Sequence, residues 1–220
     1  MTAPLRIAVV DYGAGNLRSV CKALEVAGGA PFLATSPEAL GDADGVVFPG
    51  QGACGPAMEA LAQNKMVETI LETVRRGKPF LGVCLGLQLL FTHSEENGVG
   101  CLDIFPGVVR RLPRGLVVPH MGWNQVIWRR DHPVWEGIPS GSYFYFVHSY
   151  YPEPADPSLV AGETEYGIPF CSVVAQGNLV ATQFHPEKSG VVGLRFYRNF
   201  LRWAYERLQA REALGSYPSH

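Results

Sequence analysis

Short apolar runs alternate with amphipathic stretches over the first part of the chain. Ile7 to Val10, Pro31 to Ala34, Val46 to Phe48 and Phe80 to Val83 are runs of strand length. Apolar character this continuous predicts strands covered on both faces, as in a parallel sheet. Between them, Leu17, Val20, Cys21, Leu24 and Ala27 fall on one face of a helix, which Gly28-Gly29 ends. Met58 to Arg76 reads as a further helix, with Leu61, Ile70, Leu71 and Val74 as candidate core. Strands alternating with helices imply an open, mostly parallel α/β sheet with helices on both faces.

The pattern changes after about residue 100. Val108–Leu112, Trp123–Trp128, Tyr143–Val147, Phe170–Val174 and Leu179–Gln183 are short β-rich runs separated by Pro and Gly. They predict antiparallel or mixed strands added to the first sheet in the C-terminal half. Gly193 to Arg211 predicts a terminal helix, with Leu194, Tyr197, Leu201, Ala204 and Leu208 on one face. The expected organisation is one domain over residues 1–212 and a loose tail over 213–220.

Composition narrows the partners. The 220 residues suit one sizeable α/β domain. Eighteen basic residues stand against 20 acidic, and no basic stripe points to nucleic acid. Met1 to Arg6 lacks a signal-peptide pattern, and the run around Cys84 is too short to span a membrane. Five scattered cysteines without a CxxC argue against a disulfide framework and a zinc site, and for a reducing cytoplasm.

Two stretches carry candidate chemistry. In Gly82-Val83-Cys84-Leu85-Gly86 an apolar strand meets a helical pattern through two glycines. That is the strand-to-helix nucleophile elbow with Cys in place of Ser. At a helix start, free N–H groups stabilise negative charge on sulfur. The competing reading of Cys84 is a buried structural cysteine. Of the six histidines, His185 has the best context, ending a strand in Phe184-His185-Pro186-Glu187. If that stretch is extended, His185 and Glu187 share a face. Glu187 then orients the imidazole to work on Cys84, giving a nucleophile, a base and an orienting carboxylate. The competing reading is a surface His beside a surface Glu. Gly13-Ala14-Gly15 lacks the third glycine of a dinucleotide fingerprint and reads as a plain turn.

Gly-Val-Cys-Leu-Gly-Leu-Gln-Leu-Leu (82–90) with Phe-His-Pro-Glu (184–187) resembles the class I, triad-type glutamine amidotransferases. Asp11–Asn16, Ser94–Glu96, Pro119–Asn124, Tyr145–Tyr150 and Gln183–Ser189 resemble one branch of that family, the glutaminase subunit of imidazole glycerol phosphate synthase in histidine biosynthesis. The resemblance implies that Cys84 is the nucleophile, His185 the acid and base, and Glu187 its orienting carboxylate. It places Gly50, Gln88 and Glu96, with the backbone at His148, Ser149 and Tyr150, around a substrate glutamine. Backbone N–H groups of Leu85 and of the Gln51–Gly52 segment would form the oxyanion hole; the family usually has Val where this chain has Gln51. Trp123, Tyr145 and Lys188 would lie near the junction with a (βα)8-barrel cyclase subunit that receives the ammonia. No metal or cofactor is implied. Amidotransferase domains serving other synthases, and a docking subunit without activity, are the rival readings.

Overall fold

The computed structural model describes residues 3–215. Its strands are β1 (Arg6–Val10), β2 (Ala30–Ala34), β3 (Gly45–Gly50), β4 (Phe80–Cys84), β5 (Phe91–Ser94), β6 (Val99–Gly100), β7 (Phe105–Arg111), β8 (His120–Trp128), β9 (Ser142–His148), β10 (Tyr150–Pro154), β11 (Val160–Glu165), β12 (Pro169–Gln176) and β13 (Leu179–Thr182). Its helices are α1 (Leu17–Ala27), α2 (Pro37–Gly41), α3 (Cys54–Gln63), α4 (Met66–Arg75), the single turn α5 (Leu85–Gln88) and α6 (Gly190–Gly215).

A nine-stranded sheet runs in the order β2-β1-β3-β4-β13-β12-β11-β8-β9. From β2 to β13 every pairing is parallel, and from β13 to β9 every pairing is antiparallel. The parallel half carries the continuous apolar runs because both of its faces are covered. Ile7, Val9, Val47, Leu81 and Val83 pack on one face with Val20 and Leu24 of α1 and Phe196 and Phe200 of α6. Their sequence neighbours Ala8, Val10, Val46, Phe48 and Phe80 pack on the other face with Leu40, Leu61, Ile70 and Leu87. Each such fully buried Val, Ile or Phe contributes about 1.5–3 kcal/mol.

Three differences from the expected elements have local causes. The helix expected over Met58–Arg76 is two helices, because Lys65 adopts a left-handed conformation (φ 56°) between α3 and α4. Val108–Leu112 does not extend the first sheet. It belongs to β7 in a second, four-stranded sheet ordered β10-β7-β5-β6, which packs Phe91, Phe105 and Val109 against the α2–α5 face. The terminal helix runs from Gly190 to Gly215, and the rest of the expected tail, 216–220, lies outside the described residues.

Candidate active site

Cys84 ends β4 at φ 56°, ψ −108°, a conformation unfavourable for any residue with a Cβ. The strain is held by packing too tight to relax. A Cβ on Gly86 would fall onto the carbonyl oxygen of Phe48 in β3, and one on Gly82 would sit 2.9 Å from the Ala181 Cβ in β13. The elbow is therefore clamped between the strands on either side, and Cys84 lines a cavity of about 370 Å³ above the sheet. That size falls within the usual range for small-molecule sites.

His185 lines the same cavity and is 2% exposed. Its Nδ1 lies 2.8 Å from Glu187 Oε1, with both side chains almost fully buried. The two do not meet through an extended stretch. Pro186–Lys188 is a 3-10 turn, with the Lys188 N–H donating to the His185 carbonyl at 3.1 Å, and this turn folds Glu187 back under the imidazole. The Tyr197 hydroxyl donates to the other Glu187 oxygen at 3.5 Å. His185 Nε2 is buried and has no hydrogen-bond partner. Burial disfavours the imidazolium, but the negative charges of Cys84 and Glu187 on either side outweigh it and push His185 up to about 10. With no bonded partner at Nε2, Cys84 acts on the ring mainly through charge across the cavity.

Gln88, Glu96, His148, Ser149 and Tyr150 also line the cavity, as do Leu85, Gln51 and Gly52. Gly50 does not. It is buried below, where a Cβ would fall onto the Tyr12 hydroxyl and lie 2.9 Å from the Leu85 Cβ. The Asp11–Gly15 turn packs its Gly15 against Gly50, so that turn supports the cavity floor. Glu96 accepts the Cys54 N–H at 3.0 Å, which fixes its carboxylate at one end of the cavity. Lys188 lines the rim, with its amine 5.9 Å from the centre of the Tyr145 ring. Trp123 and Tyr145, paired across β8 and β9, lie outside the cavity with ring centres 6.2 Å apart. Met121, Trp123 and Tyr143 stand exposed on this outer face, while Phe144 and Phe146 point into the core.

Two buried groups had no assigned role in the sequence. Gln183, fully buried, directs its side-chain nitrogen at Cys84 Sγ from 3.6 Å. It lies two residues before His185, so the strand period offered a signal for it. His120 Nδ1 lies 2.9 Å from His148 Nε2, and His148 Nδ1 lies 2.8 Å from the Tyr150 carbonyl oxygen. That carbonyl can only accept, so His148 carries its proton on Nδ1 and accepts from His120. Burial pushes His148 down to about 3 and His120 down to about 4, keeping both neutral at pH 7. His120 also stacks on Tyr166 with ring centres 4.0 Å apart. No local pattern in the sequence pairs residues 28 apart.

A larger open depression of about 850 Å³ lies beside Trp128, His132 and Trp135. Among the described residues, no cysteine lines it. Its indole N–H groups and the Arg130 guanidinium are already bonded to the backbone carbonyls of Ile138, Arg130 and Ser158.

A strained cysteine at a strand end, a buried imidazole and a carboxylate bonded to that imidazole are the equipment of a cysteine-dependent acyl-transfer hydrolase. Residues 8–203 match the class-I glutamine amidotransferases, and the chain belongs to that family. It is 49% identical to the imidazole glycerol phosphate synthase subunit HisH of Dehalococcoides mccartyi, over 90% of this chain and 97% of the relative. It is 51% identical to the protein of that name from Aromatoleum aromaticum, over 90% and 98% of the two chains. Among solved structures, PurLQS from Thermotoga maritima superposes with a TM-score of 0.73, covering 94% of this chain and 100% of that one at 20% identity. This last likeness is one of fold.

Proposed function

We propose that this chain is the glutaminase subunit of imidazole glycerol phosphate synthase. It hydrolyses glutamine to glutamate and ammonia and passes the ammonia to a (βα)8-barrel cyclase subunit in histidine biosynthesis. The observation that carries the chemistry is the buried 2.8 Å contact of His185 Nδ1 with Glu187, which leaves Nε2 free in the cavity that holds Cys84. The names and near-50% identity of the relatives support the pathway.

In this reading the Cys84 thiolate attacks the side-chain carbonyl carbon of glutamine. Backbone N–H groups of Leu85 and the Gln51–Gly52 segment receive the oxyanion, where one such donor is worth about 3 kcal/mol of barrier. The His185 imidazolium gives its Nε2 proton to the departing amide nitrogen, and ammonia leaves. A water then loses a proton to His185 and attacks the glutamyl thioester. Glutamate departs and the thiolate returns. Glu96 and the backbone at 148–150 hold the amino-acid end, and Gln88 lies beside the reacting amide. The outer face bearing Trp123 and Tyr145, with Lys188 at the rim, meets the cyclase. Five unpaired cysteines suit a reducing cytoplasm.

The test is glutamate release by the chain alone, with a cyclase subunit, and with the cyclase plus its nucleotide substrate. Glutamine turnover that depends on Cys84 and rises with the cyclase is the expected result. Turnover that responds only to a different synthase would reassign the partner, and no turnover in any mixture would overturn the glutaminase reading.

A further inference from the structure

The sulfur of Cys84 has two polar contacts within hydrogen-bonding reach. The Val147 carbonyl oxygen lies at 3.9 Å and the Gln183 carboxamide nitrogen at 3.6 Å. They suit opposite forms of the nucleophile. The carbonyl can accept a hydrogen bond from the thiol, but offers a thiolate only repulsion. An amide N–H donates to the sulfur in either form, and the bond strengthens when the acceptor is charged.

Which end of the Gln183 amide faces the sulfur is fixed by its neighbours. The Tyr150 carbonyl oxygen only accepts, so the Gln88 side-chain nitrogen, 2.9 Å away, is the end that faces it. The same nitrogen lies 3.1 Å from the Gln183 side-chain oxygen and donates its second proton there. That leaves the Gln183 nitrogen for Cys84. A flipped Gln183 would set nitrogen against nitrogen at Gln88 and oxygen against sulfur at Cys84. Both residues are buried, Gln183 fully, so water does not compensate for such a mismatch.

We propose that Gln183 is a positioning residue for the nucleophile, its carboxamide holding the Cys84 thiolate in place and its own orientation set by Gln88. The inference rests on the glutaminase reading for its role in turnover. Gln88 lies beside the reacting amide in that reading, so one buried amide ties the substrate pocket to the sulfur. A merely structural Gln183 would cost stability when replaced but leave sulfur reactivity alone.

The experiment compares the wild-type complex with Gln183→Met, which keeps the unbranched shape and loses the donor, and with Gln183→Leu. It reads kcat for glutamate release and the rate at which iodoacetamide alkylates Cys84, located by peptide mapping, across pH. Alkylation needs only a reactive thiolate, so it reports on the sulfur whatever the substrate. Gln183→Met is expected to lower both rates about tenfold at neutral pH, the loss of one charge-assisted hydrogen bond. Its alkylation rate should return to the wild-type value at high pH, where the thiol ionises without help. The other titratable groups near the sulfur (His185, Tyr12, Glu96, His148 and Lys188) are the same in all three proteins. Wild-type alkylation by both variants at every pH overturns the proposal, as does a slowing that persists unchanged at high pH. If one variant fails to fold, the other decides. A wild-type complex that releases no glutamate, yet whose alkylation answers to Gln183, would overturn the glutaminase reading and keep the contact.

Discussion

The carbonyl oxygen of Tyr145 accepts the backbone N–H of His185 at 2.9 Å. One bond thus ties the imidazole to the strand whose outer face carries Trp123 and Tyr145. Ser189 closes the clamp: its hydroxyl accepts the Tyr145 N–H at 3.0 Å and donates to the His185 carbonyl at 2.6 Å. The segment 185–189 therefore covers the free edge of β9, an edge otherwise open to unwanted pairing. A shift of β9 under a docked partner would carry His185 with it.

Replacing Ser189 by Ala removes both bonds and leaves the Tyr145 N–H unpaired at a buried site, while the His185 carbonyl keeps the Lys188 N–H. The expected cost is about 1–3 kcal/mol in denaturant unfolding. Turnover should fall further than KM rises, since the group displaced is the proposed base. A Ser189→Ala protein with wild-type stability would show that the clamp carries no energy.

Cys84→Ala should abolish glutamate release while keeping the fold. A glutamine-like electrophile should label Cys84 before Cys21, Cys54, Cys101 or Cys171. The backbone adds a second expectation. Ala at φ 56° keeps the strain of the elbow, whereas Gly relieves it. Cys84→Gly is therefore expected to be as stable as Cys84→Ala or more so, by about 1 kcal/mol, although glycine usually loses such comparisons. Equilibrium unfolding of the two variants checks this, and a Gly variant clearly weaker than Ala would mean that the elbow is not strained.

The elbow and the parallel half of the sheet were legible in the sequence because both are local. Apolar runs report burial on two faces, and Gly-x-Cys-x-Gly reports a turn that admits no Cβ at either flank. The second sheet was not legible. Its β6 is two residues long, and Val108–Leu112 alternates no differently from the runs that join the first sheet. The His185–Glu187 pair was found through the wrong geometry. Residues two apart share a face in a strand, yet here a 3-10 turn makes the contact. Spacing could place Gln183 beside His185 but not against Cys84, and the His120–His148 pair joins distant segments that spacing along the chain does not encode.

The raised His185 sets a pH dependence with a definite sign. Its folded value, about 10, lies above the ordinary value of 6.5, so the folded state binds the proton more tightly. Stability from this group is fully present below about pH 6.5 and is lost as pH climbs towards 10. Glu187→Gln removes one of the charges that raise it, so the alkaline loss should still begin near pH 6.5 but be complete at lower pH and be smaller in total. Thermal melts of the two proteins from pH 6 to 10 measure the difference, and superimposable curves would remove Glu187 from the electrostatics. Turnover should follow the split of roles. By comparison with other triads, His185→Ala costs roughly 10⁵–10⁶ and Glu187→Gln roughly 10⁴. A reversed order would exchange their parts.

Partner control is the remaining expectation, and the structure narrows where it acts. A glutaminase that ran unaccompanied would waste glutamine, so the isolated chain should be nearly silent. Of the segment Pro49–Gly52, Pro49 and Gly50 belong to β3, and Gly50 is locked against Tyr12 and Leu85. Gln51 and Gly52 are exposed, and Gly52 stands at φ +100° with open space around it. Peptide rotation in this segment is thus confined to Gln51–Gly52, the proposed oxyanion donors. Moving a resting population from 1:99 to 99:1 requires the partner and its ligand to favour the active state by about 5.5 kcal/mol. Lys188 is placed to report such docking, lining the cavity while its amine faces the Tyr145 ring on the outer surface. Glutaminase rates for the chain alone, with cyclase, and with cyclase plus nucleotide should rise in that order. Gly52→Ala, which excludes φ +100°, should change the resting rate more than the liganded one. A lone chain that already works at the full rate of the liganded complex would refute control by the partner. A Lys188→Ala complex with unchanged stimulation and ammonia transfer would leave Lys188 as a solvated charge at the rim.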